Sequence, residues 1–233
     1  MADELVCIND GGTSGAVLYF FDPKSKSQIL FPFSEIKNID WEAIARNDSE
    51  IMVFDTGNNK GNRQSLDIHH IDILSKEINY TNTFMLPGMP AADPFIHNLD
   101  IEAAIIKNNK YCLFTKNRAD KNTDLFIANL RDSNMTKVSS IAVPAMVTDA
   151  HYHKKSNSIL LLCNEKFENL HKSYISIVYM SDEYILTHRV DIPLELNDKV
   201  EALAAKEDNS FYIGSERVSG GKGKLYEIQI NGL

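Results

Sequence analysis

The sequence predicts an all-β protein, a β-propeller of five four-stranded blades with six as the alternative count. Three observations carry this prediction. Short apolar runs alternate with Asn, Asp, Gly and Ser clusters, which is typical of strands, and helical periodicity is nearly absent. In addition, an acid followed by alanine recurs at intervals of 60, 47 and 52 residues. Repeats of about this length that contain several strands each indicate propeller blades.

The repeated acids open the innermost strand of each unit: Glu42, Glu102, Asp149 and Glu201. The second strand of each unit then ends on a small polar residue: Asn9, Asp55, Thr115, Asn164 and Ser215. We expect a single domain built from units 1–34, 35–92, 93–144, 145–196 and 197–233. The first unit has no acid, so we expect the N-terminal blade to lack its innermost strand in this chain. An N-terminal segment trimmed from the natural protein would explain this; an unusual ring closure is the alternative.

Composition excludes several functions. The 233 residues carry a formal net charge of −8, so there is no basic surface for a phosphate backbone, and nucleic acid is excluded as a partner. No apolar run reaches the about 18 residues of a membrane span, which predicts no membrane insertion. The chain shows no signal peptide, and its location is left open. Cys7, Cys112 and Cys163 lie in apolar runs and are expected to be buried free thiols.

Propeller geometry gathers the acids at one place. The first strand of a blade starts, and the second ends, at the same face, so the four acids should surround one mouth of the central channel. Oxygen ligands without clustered Cys or His suit a hard cation such as Ca²⁺. The predicted metal ligands are therefore Glu42, Glu102, Asp149 and Glu201. The alternative is structural: each acid accepts hydrogen bonds from the backbone of the next blade.

The polar loop Asp55–Arg63 is the most unusual local sequence. Its Gly and Asn residues predict a tight hairpin loop. Alternatively the loop faces a ligand, with Asp55 and Asn58 as oxygen donors to it and the Arg63 guanidinium group as the partner of a carboxylate or phosphate. Lys116 is a cation among acids and is expected to balance charge. The ligand-facing residues predicted at the mouth are Asn9, Asp10, Trp41, Asp55, Asn58, Arg63, Thr115, Lys116, Asn164, Ser215 and Glu216.

These motifs resemble a bacterial β-propeller family. The matching stretches, in order, are NDGGTSGAVLYFFD, DWEAIA with FDTGNNKGNR, DIEAAI with LFTKNRADKNTDLF, VTDAHY, and VEALAA with YIGSE. The family resembled is related to SdiA-regulated propellers and, more distantly, to esterase-like phytase-domain propellers. The resemblance implies an exported protein with upstream sequence that supplies the missing strand, and calcium at the four acids. Asn58 and Asp149 depart from the family pattern, in which Asp and Gly are usual.

Three functions remain open at this stage. The first is a non-enzymatic propeller that binds a small molecule or a protein at the acidic mouth, with Ca²⁺. The second is a metal-dependent hydrolase of the lactonase or phosphoesterase type, with Glu42 and Asp55 near the metal and His151 as a base. The third is a metal-free protein-interaction module. The sequence favours a non-enzyme.

Overall fold

A computed structural model describes residues 4–11, 14–91, 93–94, 96–168, 170–216 and 222–233. The described residues form eighteen β-strands and no helix, and hence none that could span a membrane. The strands form five antiparallel sheets that follow one another along the chain. This is the arrangement of a five-bladed β-propeller, and the predicted fold class is confirmed.

Blades 2, 3 and 4 each have four strands. Blade 2 contains β4 (Trp41–Arg46), β5 (Glu50–Asp55), β6 (Leu66–Asp72) and β7 (Ile78–Phe84). Blade 3 contains β8 (Ile101–Lys107), β9 (Lys110–Thr115), β10 (Asn122–Asn129) and β11 (Thr136–Ala142). Blade 4 contains β12 (Met146–His153), β13 (Ser158–Phe167), β14 (Leu170–Met180) and β15 (Leu186–Leu194).

The first and last blades have three strands each. Blade 1 contains β1 (Leu5–Cys7), β2 (Val17–Phe21) and β3 (Gln28–Pro32). Blade 5 contains β16 (Val200–Glu207), β17 (Ser210–Ser215) and β18 (Leu225–Gln229). The first strands β4, β8, β12 and β16 pack on their neighbours in turn, which places them nearest the axis. Among the described residues, blade 1 has no such strand, as predicted, and blade 5 has no outermost strand.

Burial follows the distance of a strand from the axis. All six residues of β5 are buried, because neighbouring blades cover both faces of the sheet there. Such strands consist of nearly continuous apolar runs, as EIMVFD does. The outermost strand β7 instead alternates between exposed and buried side chains, which is the period-two pattern of a half-covered strand.

Four apolar clusters join consecutive blades. They lie between blades 1 and 2, 2 and 3, 3 and 4, and 4 and 5. None of the four joins blade 5 to blade 1. The blades are thus held pairwise by hydrophobic burial, and the ring has one seam without such a cluster.

The cysteines differ from the prediction at one position. Cys112 and Cys163 are buried, as expected, but Cys7 is exposed. Cys7 lies in β1, where no strand covers the side nearest the axis. The apolar run around Cys7 predicted that this side chain is buried. It is exposed because no described inner strand covers β1.

The interblade clusters predict a large difference between two identical substitutions. Leu113 is fully buried between blades 2 and 3, whereas Leu74 is 91% exposed. Leu113→Ala should lower the free energy of unfolding by about 2–5 kcal/mol, because it removes packed methyl groups and leaves a cavity. Leu74→Ala is the matched control and should leave it unchanged. Urea unfolding measures both, and equal effects would contradict the packing described.

Candidate cation site at the channel mouth

Backbone register places the predicted mouth residues at one end of the blades. In blade 2, Trp41 pairs with Asp55, the last residue of β5. Ile101 pairs with Thr115 in blade 3, and Val200 pairs with Ser215 in blade 5. In each case the register shifts at the next residue, so a β-bulge lies there. The bulged residues are the acids Glu42, Glu102 and Glu201.

Blade 4 departs from the predicted repeat by one residue. Its bulge lies between Val147 and Asp149, and Val147 pairs with Cys163 rather than Asn164. The residue at the position of the other three acids is therefore Thr148. The expected alignment of Asp149 with Glu42 is wrong. The dipeptide Asp149-Ala150 resembles Glu42-Ala43 in sequence but lies one position further along its strand.

Asp149 instead connects two blades. Its two carboxylate oxygens accept hydrogen bonds from Ala150 N (2.7 Å) and from Leu203 N in blade 5 (2.6 Å). Burial raises the pKa of Asp149 to about 7 even though these backbone donors lower it. This is the structural role that was the alternative to metal binding.

Glu102 and Glu201 each have a lysine partner. Lys116 Nζ lies 2.9 Å from Glu102, and Lys199 Nζ lies 2.7 Å from Glu201 and 2.8 Å from Glu216. Burial raises the pKa of Glu102 to about 8, against the lowering effect of Lys116. The pKa of Lys116 is raised despite its burial, because Glu102 and Glu201 stabilise its charge. Lys116 thus balances charge at the mouth.

Glu42 has different surroundings. It belongs to a group with Asp10 and Asp40 in which one oxygen of each carboxylate lies within 4.8 Å of the others. Glu42 makes no hydrogen bond or ion pair with any other residue that the structure describes. Burial, followed by the charges of Glu102, Asp10 and Asp40, raises its pKa well above the ordinary value. Burial and Asp10 likewise raise the pKa of Asp40 to about 6.

A glycine allows this group to form. A Cβ atom placed on Gly57 would lie 2.5 Å from Glu42 Oε1 and would also overlap the Asp40 carboxylate. The turn after β5 can therefore approach the two carboxylates only because residue 57 has no side chain. Gly57 N donates a hydrogen bond to Asp40 O (3.0 Å), which holds the turn in place.

The loop that follows Asp55 is internally bonded. Asp55 is 1% exposed; its oxygens accept from Ile39 N (3.0 Å) and Asp40 N (3.1 Å), and one lies 2.6 Å from Arg63. Asn58, which is also buried, donates to Leu99 O and accepts from Arg63 N, both at 3.1 Å. The Asp55 oxygens thus hold the residues before β4, and the Asn58 amide nitrogen holds Leu99. The predicted ligand role of Asp55, Asn58 and Arg63 stays a prediction.

The other predicted ligand residues lie at the mouth with internal partners. Asn9 donates to Tyr19 Oη (2.9 Å), and Trp41 is buried in the cluster between blades 1 and 2. Thr115 accepts from Asp124 N (2.8 Å), and Asn164 donates to Ser173 Oγ (2.8 Å). Ser215 accepts from Lys224 N (3.0 Å). Contact with a ligand is untested for all five.

Sequence reasoning missed four residues of the mouth: Asp40, Gly57, Asp100 and Lys199. Asp100 accepts from Asn58 N and lies 2.7 Å from Arg118. A signal was present, because an ionisable residue stands two positions before the bulged acid in D-W-E, D-I-E and K-V-E. In the third of these the residue is a lysine, Lys199, and it pairs with the acid of its own strand, Glu201.

Comparisons with known proteins show the fold alone. No protein-family model matches the chain, and no curated protein matches it. The exo-β-1,3-galactanase of Phanerochaete chrysosporium is similar over 96% of this chain and 51% of its own, with 13% identity and a TM-score of 0.56. Kuenenia stuttgartiensis hydrazine synthase is similar over 91% of this chain and 70% of its own, with 11% identity and a TM-score of 0.52. The Pseudomonas aeruginosa periplasmic gluconolactonase aligns over 98% of this chain and 84% of its own, with 9% identity and a TM-score of 0.49. This TM-score is too low to support any argument about activity.

The raised pKa of Asp149 predicts a pH dependence of stability. The folded protein binds this proton more tightly than the unfolded chain, in which an aspartate titrates near pH 4. The stability it contributes is complete below about pH 4 and is lost as the pH rises through about 7. Urea unfolding in the presence of a chelator should show this decline, and Asp149→Asn should make it less steep. The rest of the decline belongs to Asp40, Glu42 and Glu102, whose pKa values are also raised.

The control for this measurement is an exposed carboxylate. Asp208 is paired with Lys155 at the surface, so Asp208→Asn should keep the wild-type decline between pH 4 and 7. Identical pH profiles for wild type and Asp149→Asn would show that Asp149 does not titrate in this range.

Proposed function

We propose that this propeller binds a ligand or partner protein at its acidic mouth through a Ca²⁺-type cation held by Asp10, Asp40 and Glu42. One observation carries the proposal. These three carboxylates converge within 4.8 Å, and Glu42 has no positively charged partner among the described residues, whereas Glu102 and Glu201 each have a lysine. Burial, and after it repulsion by Glu102, Asp10 and Asp40, raises the pKa of Glu42, and a cation in this position would offset both effects.

The donor set fits a hard cation. It offers carboxylate oxygens from two blades and contains no Cys or His, which disfavours zinc and suits Ca²⁺. The space next to Gly57, which a Cβ atom would fill, supports the same assignment. The bound cation would supply positive charge and free coordination positions for oxygen atoms of a ligand. Asp10, which is exposed, lies where such a ligand would enter.

The sequence resemblance to SdiA-regulated propellers also supports calcium at the mouth. Of the four acids to which that resemblance assigns the metal, Glu42 is the one we retain as a ligand. Glu102 and Glu201 serve in this proposal as neighbours whose charges are already balanced by lysine, and Asp149 joins blades 4 and 5. The implied export remains an expectation.

Calcium should stabilise the folded protein. Binding to the native state alone adds about 2.7 kcal/mol when free Ca²⁺ is about 100 times Kd, and three carboxylates with few further ligands suggest a Kd of about 0.1–1 mM. We expect the midpoint of thermal unfolding to rise with Ca²⁺ and not with the same concentration of Na⁺. Glu42→Gln and Asp40→Asn should abolish the rise.

Two acid variants separate this proposal from the alternatives. Glu216→Gln changes a carboxylate at the same mouth that already pairs with Lys199, and it should keep the calcium response. A response that survives in Glu42→Gln but disappears in Glu102→Gln would move the cation to another acid. No response in the wild type would favour the metal-free interaction module.

Gly57→Ala tests the site without changing its charge. The added methyl group would displace the carboxylates of Asp40 and Glu42, so we expect loss of at least most of the calcium response. Gly15→Ala is the matched control, because a Cβ there meets only Val17 at an ordinary 3.6 Å. An unchanged calcium response in Gly57→Ala would contradict the proposed position of the cation.

The hydrolase remains the alternative function. It would use the same cation to polarise a lactone or phosphoester, and it is tested with panels of these substrates. Turnover that needs Ca²⁺ and is lost in Glu42→Gln would establish it. Turnover that is indifferent to chelation would exclude this mechanism.

A further inference from the structure

The seam between blades 5 and 1 leaves one strand edge unpaired. In blades 2 to 5 the second strand pairs on its inner side with β4, β8, β12 or β16. By contrast, β1 pairs with β2 and with no other described strand. An edge of this kind presents backbone N–H and C=O groups that can pair with a further strand.

The face of blade 1 that is turned away from blade 2 is apolar. Residues opposite one another in paired strands share a face, so Cys7, Tyr19 and Leu30 form one row, beside Leu5 and Phe21, whose row ends at the polar Gln28. None of the other five belongs to an interblade cluster. Leu30 remains 49% exposed. This face of blade 1 therefore lacks the cover that the other blades receive.

Blade 5 does not close on blade 1 among the described residues. Its apolar cluster packs on blade 4, and among the described residues no strand of blade 5 packs extensively on blade 1. The row of Ala202, Gly214 and Leu225 lies on the face turned away from blade 4, next to the row of Ala204, Tyr212 and Glu227, and Leu225 is 44% exposed. Among the described residues, blades 1 and 5 thus each leave one face without an apolar partner at the seam, and β1 leaves an unpaired edge there.

We propose that this seam binds an extended segment of a partner protein, which adds to β1 as an antiparallel strand. β1 runs toward the mouth, where Asp10 meets Asp40 and Glu42, so the N-terminal end of the segment lies beside these carboxylates. That end carries positive charge, in keeping with the net charge of −8 of this chain. Apolar residues alternate along the rest of the segment and contact the apolar face of blade 1.

Cys7 provides a direct readout. Burial raises the pKa of all three thiols, to about 12 at Cys112 and Cys163, but Cys7 is the one that a reagent can reach because its side chain is exposed. A thiolate-directed reagent will therefore modify Cys7 first. The probe is a synthetic peptide of two lysines followed by the β8 sequence IEAAIIK, which is itself an inner strand. Saturating peptide should slow modification of Cys7 in the full chain by about tenfold or more, as expected for a site covered by a strand.

The conditions keep the two proposals apart. The assay is run in chelator, so that no cation competes for Asp10, Asp40 and Glu42. A peptide that fails to bind, in a protein that still responds to Ca²⁺, would overturn the strand proposal and leave the cation proposal intact. Protection of Cys7 in a protein without a calcium response would overturn the cation proposal and leave the strand proposal intact.

Matched controls test the mode of binding. A peptide with the same side chains, N-methylated at the alternate amides that face β1, should not protect Cys7, because it cannot form the ladder of hydrogen bonds. Leu5→Lys places a charge on the seam face and should weaken protection. Ile29→Lys alters the opposite face of the same blade, where Ile29 is 56% exposed. The peptide should protect Cys7 in this variant as well as in the wild type.

Four outcomes would overturn the proposal. They are the absence of protection, equal protection by the N-methylated peptide, modification of Cys7 no faster than that of the buried Cys112 in a monomer without peptide, and the same slow rate in a dimer. The third would mean that blade 5 closes on blade 1, and the fourth that a second copy of the chain occupies the seam.

Discussion

Carboxylates that lie close together in a buried place repel one another, and the structure around the channel mouth depends on how each charge is compensated. A bulge in blades 2, 3 and 5 turns one acid per blade into this region. Lysines compensate two of them, and Arg63 and Arg118 compensate Asp55 and Asp100. The remaining charge is concentrated where blades 1 and 2 meet, at Asp10, Asp40 and Glu42. The function proposed for the mouth follows from this uneven distribution.

Much of the fold could be predicted from the sequence, because the strand pattern and the recurrence of acid and alanine both survive large differences in loop length. The register of blade 4 could not. Glu42 and Asp55 are 13 residues apart, and so are Glu102 and Thr115, but the corresponding residues of blade 4, Thr148 and Cys163, are 15 apart. A hairpin that is longer by two residues leaves the spacing ambiguous, and only the pairing of the backbones resolves it.

The candidate site was predicted less well than the fold, since residues from different blades meet there. Asp10 and Asp40 are separated by most of blade 1, and nothing local in the sequence joins them. The composition of the loop Asp55–Arg63 predicted a ligand-binding loop. The side chains of Asp55 and Asn58 instead make hydrogen bonds to backbone groups of neighbouring segments. In this loop the decisive residue is Gly57, whose contribution is the absence of a side chain. Composition reveals a loop of this kind but not which of its groups remain free.

Asp10 links the two proposals made for this protein. It follows β1, a strand of three residues that is paired on one side, and it contributes a carboxylate to the group at the mouth. A cation and the positive end of an added strand would satisfy the same carboxylates, so they compete for the mouth. Thermodynamic reciprocity then requires that each weakens the binding of the other by the same factor. Calcium would thereby regulate access to the seam, and a partner bound in the seam would release calcium.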